Sequence, residues 1–167
     1  MINLTDLEKK INSELTTKIK KSEIKHNQLY INIESKDLID VSLFIKSNEN
    51  IKFRQLIDVT VVDYPEKTQR FKVVYLFLSH EINQRILLSY FINENEVIPS
   101  LTSIYPAANW MEREVFDMYG VKFKDHPDLR RILTDYNFEG HPLRKDFPLT
   151  GHTEVRYNED QKKVIQE

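Results

Sequence analysis

Residues 1–119 contain no glycine; the three glycines of the chain, Gly120, Gly140 and Gly151, all lie in its last third. Glycine supplies the backbone freedom needed for left-handed turns and close approaches. Its distribution therefore splits the chain into two differently built parts. Pro127, Pro142 and Pro148 fall in the same glycine-bearing part. We read residues 1–120 as an α+β domain and residues 121–167 as an extended docking arm. A long segment without regular elements is unusual inside a compact domain. It suits an arm that lies on another surface.

At 167 residues and 40% hydrophobic content, the chain can bury one core. The longest apolar runs, such as Val73 to Leu78, have strand length and fall far short of the ~20 residues that span a bilayer. The start, MINLTDLEKK, has neither the apolar stretch of a secretory signal nor the acid-poor, Arg-rich character of a transit peptide. The absence of cysteine excludes disulfides, thiolate metal sites, iron–sulfur ligation and cysteine nucleophiles. A net charge of −2 argues against a bulk field for nucleic acid. Ile, Lys and Asn are abundant, whereas alanine occurs only at Ala107 and Ala108, a bias of AT-rich and organellar genomes.

Periodicity supplies the elements. Thr5-x-x-Glu8 reads as a capping box before a helix with a Leu4, Leu7, Ile11, Leu15, Ile19 stripe. Leu29 to Glu34 alternates as a strand. Ser35 is placed to cap a second helix with Leu38, Val41 and Phe44/Ile45 buried. Three longer strands follow, near Phe53–Val62, Phe71–Ser79 and Arg85–Ile92. Phe71–Ser79 is apolar on both faces, which predicts a central strand covered on both sides. The short links favour antiparallel neighbours. The expected fold is α+β: a four-stranded, mostly antiparallel sheet with packed helices, followed by the long arm.

Asn109 to Tyr119 reads as a helix stopped by Gly120. At ~100° per residue, Arg113, Glu114 and Asp117 share one side with Trp110. Glu112 instead falls within the apolar arc of Met111, Val115, Phe116, Met118 and Tyr119. A buried carboxylate without a partner costs several kcal/mol. Either Glu112 reaches the rim, or it receives Arg130 or Arg131 from the arm. Arg113 and Asp117, four apart, can pair on the helix surface.

Several stretches then carry a resemblance. They are Glu112-Arg113-Glu114, Asp117-Met118-Tyr119-Gly120, His126-Pro127, Leu129-Arg130-Arg131-Ile132-Leu133 and Gly140-His141-Pro142-Leu143-Arg144-Lys145-Asp146-Phe147-Pro148-Leu149. Gly151 and Glu154-Val155-Arg156-Tyr157 continue the pattern, and Tyr105-Pro106-x-x-Asn109-Trp110 precedes it. Together they resemble the 30 kDa subunit family of respiratory complex I, the C subunit of NADH-quinone oxidoreductase, of the mitochondrially encoded type. Ala107 departs from the glycine expected of many relatives, and Glu167 ends the chain where relatives carry further residues.

The resemblance implies a structural subunit of the peripheral arm of a proton-translocating NADH:ubiquinone oxidoreductase. It implies no catalytic residue, flavin, iron–sulfur cluster, quinone or metal in this chain. Its implied partners are chiefly the 49 kDa-type subunit and neighbouring cluster-bearing subunits. The implied location is peripheral, on the matrix side of the mitochondrial inner membrane; the alternative is the cytoplasmic face of a bacterial inner membrane. The candidate structural and interface residues are Trp110, Glu112, Arg113, Glu114, Asp117, Gly120, His126, Pro127, Arg130, Arg131, His141, Pro142, Arg144, Asp146 and Phe147.

The duplicated His-Pro corner has a physical reading of its own. Proline drives the preceding His126 and His141 out of the α region, so each corner is stiff before it docks. Leu129 and Leu143 can plug pockets, and Arg130, Arg131 and Arg144 can fork onto carboxylates. Phe138, Phe147 and Leu149 add further apolar plugs. The expectation is two docking clips, the first folded back toward Glu112 and the second reaching a partner.

Three rivals compete. His126, His141 and His152, with Asp125, Asp128 and Asp146, could form a metal-binding module. Glu112, Glu114 and Asp117 could form an acid/base set, although no nucleophile elbow or phosphate loop accompanies them. Arg130, Arg131, Arg144 and Lys145, interleaved with Tyr136, Phe138 and Phe147, could bind single-stranded RNA, although acidic residues interrupt the patch.

Overall fold

A computed structural model describes residues 3–151 and 155–166. The fold is α+β, as the periodicity predicts. Helix α1 (Leu4–Glu14) leads into strands β1 (Ile19–Lys25) and β2 (Gln28–Ile33). A 3-10 turn (Ser35–Asp37) opens α2 (Leu38–Ser47), followed by β3 (Gln55–Asp63), β4 (Phe71–Ser79) and β5 (Gln84–Ile92). Short β6 (Val97–Pro99) precedes α3 (Ala108–Tyr119), and β7 (Lys122–Lys124) follows it. Strands β8 (Val155–Asn158) and β9 (Lys163–Gln166) form a separate antiparallel pair.

The sheet has five strands, in the order β1-β2-β5-β4-β3, not four. The extra strand is β1. Ile19 reads as the end of the first helical stripe, but α1 stops at Glu14 and Ile19 begins the strand. The sheet is also mixed, because β2 lies parallel to β5. The β1–β2 hairpin turns on His26 and Asn27, both at positive φ. Two consecutive left-handed residues make the turn whose twist matches paired strands. Asparagine and histidine tolerate that region better than most side chains, so the glycine-free part still turns tightly.

The N-terminal caps differ from expectation. Asn3, not Thr5, caps α1 by accepting the Asp6 N–H at 2.8 Å. Glu8 instead accepts from the Ser22 hydroxyl at 2.6 Å, joining α1 to β1. Ser35 gives α2 no side-chain cap, because its hydroxyl bonds Glu96 at 3.0 Å.

Phe71, Val73, Tyr75 and Phe77 are buried on one face of β4. They share a core with Leu7 and Ile11 of α1, Leu38, Val41 and Ile45 of α2, and Ala108 and Val115 of α3. The helices therefore all lie on the same side of the sheet. Lys72, Val74, Leu76 and Leu78, on the other face of β4, remain partly exposed. The expectation of two covered faces is thus corrected: β4 is central, but helices cover only one of its faces. Beyond Gly120 the chain stays attached to this core, since β7 pairs in parallel with β6.

Candidate docking surface

Helix α3 is the centre around which the C-terminal segment folds. Its N-cap position, Ala107, provides no side-chain hydrogen bond. At its other end Gly120 adopts φ +79°. The last four carbonyls of a helix have no partner inside it; here all of them find donors. Gly120 N–H donates to Phe116 O at 2.8 Å, and His141 Nδ1 donates to Asp117 O at 2.8 Å. Leu143 N–H donates to Met118 O at 3.1 Å, and Arg144 Nε donates to Tyr119 O at 2.6 Å. The second His-Pro corner therefore caps α3 through His141, the Leu143 N–H and Arg144, while the Leu143 side chain stays exposed. A cation at this end also complements the helix dipole.

Burial of the His141 ring holds its pKa below the usual histidine value, with help from the Arg144 and Arg131 cations. A Cβ on Gly120 would lie 2.5 Å from both His141 Nε2 and an Arg144 guanidinium nitrogen. Glycine is thus required twice at this position, for its φ and for the approach of the arm.

The first corner lies along the same helix. His126 Nε2 donates to Asn109 O at 3.1 Å, while its Nδ1 accepts the Asp128 N–H at 3.1 Å. Pro127 stays exposed. Arg130 forks onto Asp128 at 2.7 and 2.8 Å, in solvent. Arg113 does not pair with Asp117; it donates to the carbonyls of Arg130 and Arg131 at 3.0 and 3.2 Å. Its guanidinium lies 5.3 Å from the ring centroid of Trp110.

Asp117 is fully buried and collects the arm. Its Oδ2 accepts the N–H groups of Ile132, Leu133 and Thr134 at 2.9, 2.7 and 2.9 Å. Its Oδ1 accepts Arg131 at 2.8 Å and the Thr134 hydroxyl at 2.6 Å. Burial works to raise its pKa, but these donors prevail and hold the carboxyl well below the usual range.

Glu112 receives no arginine. It is fully buried, accepting the Ser100 hydroxyl at 2.6 Å and the Leu101 N–H at 2.7 Å. Both sequence alternatives for Glu112, rim exposure and an arm arginine, are corrected. The inner face of α3 meets the turn before the helix, whereas the arm crosses the outer face, where Asp117 lies. Burial raises the Glu112 pKa to about 7, against the opposing effect of its two donors. The buried Tyr75 and Tyr90 hydroxyls, 3.1 Å apart, are pushed upward chiefly by burial, and the Glu112 charge adds to this.

A second cluster ties the arm to the β3–β4 hairpin. Arg70 forks onto buried Asp63 at 2.7 and 2.8 Å and reaches Asp146 at 2.9 Å. Lys145 N–H donates to Asp63 at 2.7 Å, and Arg144 reaches Glu94 at 2.6 Å. The Arg70 and Arg144 guanidinium carbons lie 5.2 and 5.3 Å from the Phe71 ring centroid. Asp63, Arg70, Glu94, Ser100 and Thr134 escaped the sequence reading. Only Asp63 and Arg70, an opposite-charge pair bracketing one hairpin, left a local signal.

Of the candidate plugs, Leu129 packs on the core and Phe138 packs on Phe147 with centroids 5.8 Å apart. Trp110, Leu133, Tyr136, Leu143 and Leu149 point outward, with Tyr136 86% and Leu149 104% exposed. Glu114, Arg130 and Asp146 are exposed as well, and Pro142 is partly buried.

The rival chemistries draw no support from this geometry. His126 and His141 each commit a ring nitrogen to a helix carbonyl. No cluster of three His, Asp or Glu side chains poised for a metal occurs among the described residues, and His152 lies outside them. Arg131 and Arg144 are committed to Asp117, Tyr119 O and Glu94, so they do not form an open basic strip. Glu112 and Asp117 are separately buried and do not form an acid/base pair in a cleft.

The family profile described as "Respiratory-chain NADH dehydrogenase, 30 Kd subunit" matches residues 31–153. This stretch runs from the end of β2 through β3, β4 and β5 to α3 and both corners. The chain belongs to that family. It is 52% identical over 145 residues to the C subunit of NADH-quinone oxidoreductase from Ruegeria pomeroyi, covering 87% of this chain and 72% of the relative. It is 46% identical over 165 residues to the corresponding protein of Mesorhizobium japonicum, covering 99% of this chain and 82% of that one.

Two solved structures share the fold of this family member. One is the trypsin-resistant fragment (1–134) of Nqo5, with TM-score 0.64 and 22% identity; the match covers 77% of this chain and 100% of the fragment. The other is a chain of the membrane-bound sulfane sulfur reductase, an archaeal respiratory membrane complex. It has TM-score 0.75 and 22% identity, and the match covers 87% of this chain and 85% of that chain. Among the described residues, no helix is long and apolar enough to cross a membrane.

Proposed function

We propose that the chain is a non-catalytic, scaffolding subunit of the peripheral arm of proton-translocating NADH:ubiquinone oxidoreductase. It docks chiefly on the 49 kDa-type subunit and on neighbouring cluster-bearing subunits. Flavin, clusters and quinone belong to those partners, and this chain holds none of them. It lies against the matrix face of the mitochondrial inner membrane, or against the physically equivalent cytoplasmic face of a bacterial membrane. The named relatives are bacterial.

One observation carries this reading. The arm spends its polar groups on α3 and the β3–β4 hairpin, while Leu133, Tyr136, Leu143 and Leu149 face outward. Rigid backbone bearing exposed aromatic and aliphatic side chains is what a protein interface uses as anchors. The preordered arm presents them at a low entropic cost.

The test is co-purification of the full chain with a membrane-bound, NADH-oxidising assembly, in the natural form and with Tyr136→Asp plus Leu149→Asp. The natural chain is expected in the assembly. The double variant is expected to fall at least about ten-fold in occupancy, since each buried anchor is worth roughly 1–2 kcal/mol or more. Its melting temperature should be unchanged. Full occupancy of the variant would remove the outward arm face from the interface.

A further inference from the structure

The face of the sheet that no helix covers has a defined pattern. Tyr30 of β2 stands opposite Leu87 of β5, and Leu87 opposite Leu76 of β4. Val74 and Leu78 flank Leu76 on the same face of β4, and all five side chains are partly exposed. They form one apolar strip across adjacent strands, well inside the sheet edges. Contiguous apolar surface of this kind marks interaction sites on folded proteins.

Cations close both ends of the strip. Lys72 sits two residues before Val74 on the same face, and Arg85 stands opposite Leu78. Lys67 adds a third cation beside the Lys72 end, with its ammonium 4.6 Å from the Phe91 ring centroid. None of Lys67, Lys72 and Arg85 forms an ion pair among the described residues. The acidic groups near this face are Glu23, already held by Lys21 at 3.0 Å and Lys25 at 2.8 Å, Asp58, opposite Leu76 on β3, and Glu34 and Glu96, which line one hollow with Phe91. Glu34 is held by Lys20 at 3.0 Å and Lys36 at 2.6 Å, and Glu96 accepts the Ser35 hydroxyl at 3.0 Å. The uncompensated charge at the two ends of the strip is positive.

We infer that this open sheet face is a second docking surface, and that its occupant is an amphipathic helix of another polypeptide, with carboxylates at both ends of its apolar stripe. The dimensions fit. Six residue steps along β4 separate Lys72 from Leu78, roughly 20 Å of strand. A helix of about fourteen residues spans that length at ~1.5 Å per residue. Its apolar side chains, three and four apart, would lie on Val74, Leu76 and Leu87, and its carboxylates would meet Lys72 and Arg85. A partner strand is excluded from this position because the backbone groups of β4 and β5 are already paired on both sides. The surface is distinct from the arm, and the inference rests on the subunit reading only in assuming an assembled partner.

Photo-crosslinking in the assembly tests it. Benzoylphenylalanine replaces Leu76 in the full chain, the NADH-oxidising assembly is purified, and the crosslinked peptides are sequenced. The expected product is one helical peptide of another subunit, with apolar residues at three- and four-residue spacing and acidic ends. Adding Lys72→Glu and Arg85→Glu should lower the crosslink yield about ten-fold by placing like charges together. The melting temperature should not change, since both side chains lie on the open face. Crosslinking to lipid, to a second copy of the chain or to its own residues 155–166 overturns the inference. So does an incorporated chain that yields no crosslink from position 76. Absence of the natural chain from the assembly would instead defeat the subunit reading itself.

Discussion

Asp117 holds Thr134 twice. One carboxylate oxygen accepts the Thr134 hydroxyl at 2.6 Å, and the other accepts its backbone N–H at 2.9 Å. A buried group on α3 thereby fixes a segment that has no helix or strand of its own. Asp117→Asn keeps the shape but exchanges one acceptor oxygen for a donor facing Arg131 and Thr134. Breaking a buried charged pair costs about 3–5 kcal/mol; with Arg131 partly exposed, we expect the lower end. Amide exchange at residues 132–134 should rise most, and global melting less.

The same carboxylate sets an acid limit. Its folded pKa lies below its unfolded value, so its contribution is complete above the unfolded pKa and is lost as pH falls toward the folded one. Stability of the natural chain should decline below about pH 4. Asp117→Asn should lack that part of the slope, which denaturant titrations from about pH 3 to pH 6 would resolve.

Glu112 has the opposite sign. Its folded pKa is raised from 4.5 to about 7, so between these values the folded state binds more protons than the unfolded one. The carboxyl therefore costs nothing at low pH, and its penalty grows as pH rises, reaching a few kcal/mol above about pH 7. Glu112→Gln keeps an acceptor for Leu101 N–H and a polar group for Ser100. It should melt higher than the natural chain at about pH 8, with the difference vanishing near about pH 5. Equal melting temperatures at both pH values would contradict a buried, titrating Glu112.

Gly120→Ala meets two obstacles at once. Left-handed backbone costs a side-chain-bearing residue about 1–2 kcal/mol, and the new Cβ would lie 2.5 Å from His141 and Arg144. We expect a loss of more than ~2 kcal/mol and faster tryptic cleavage after Arg131 and Arg144, with little change in the exchange of β4 and β5 amides.

Arg144→Lys separates charge from geometry. Lysine retains a cation near the α3 C-terminus but cannot serve Tyr119 O and Glu94 from one planar fork. A loss of about 1 kcal/mol is expected, with a further loss in Arg144→Ala. Occupancy in the assembly should fall in the same order, because the outward arm residues depend on this anchor.

Some of this architecture is written locally. The β-branched and aromatic content of Phe71–Ser79 and Arg85–Ile92 makes strands, since such side chains pack well on a pleated surface. Gly120 ends α3 because the left-handed cap is a property of that residue. Proline sets the extended backbone of His126 and His141. The paired strands and the helix stop need no distant partner, so they can be read directly from the sequence.

Other features belong to no local segment. Whether Ile19 ends a helix or starts a strand depends on β2 being available to pair with it. Asp117 reads as a surface charge on a helical wheel, and only the returning arm buries it. The partners of Glu112 lie before the helix and those of Asp117 after it. The sequence alone determined which residues form α3, β4 and β5 and where the chain turns, because neighbours in the chain set backbone preference. The tertiary structure decided that the second His-Pro corner would cap α3 and that one sheet face would stay open. Unpaired carbonyls and buried carboxylates take whichever donors the fold brings within about 3 Å.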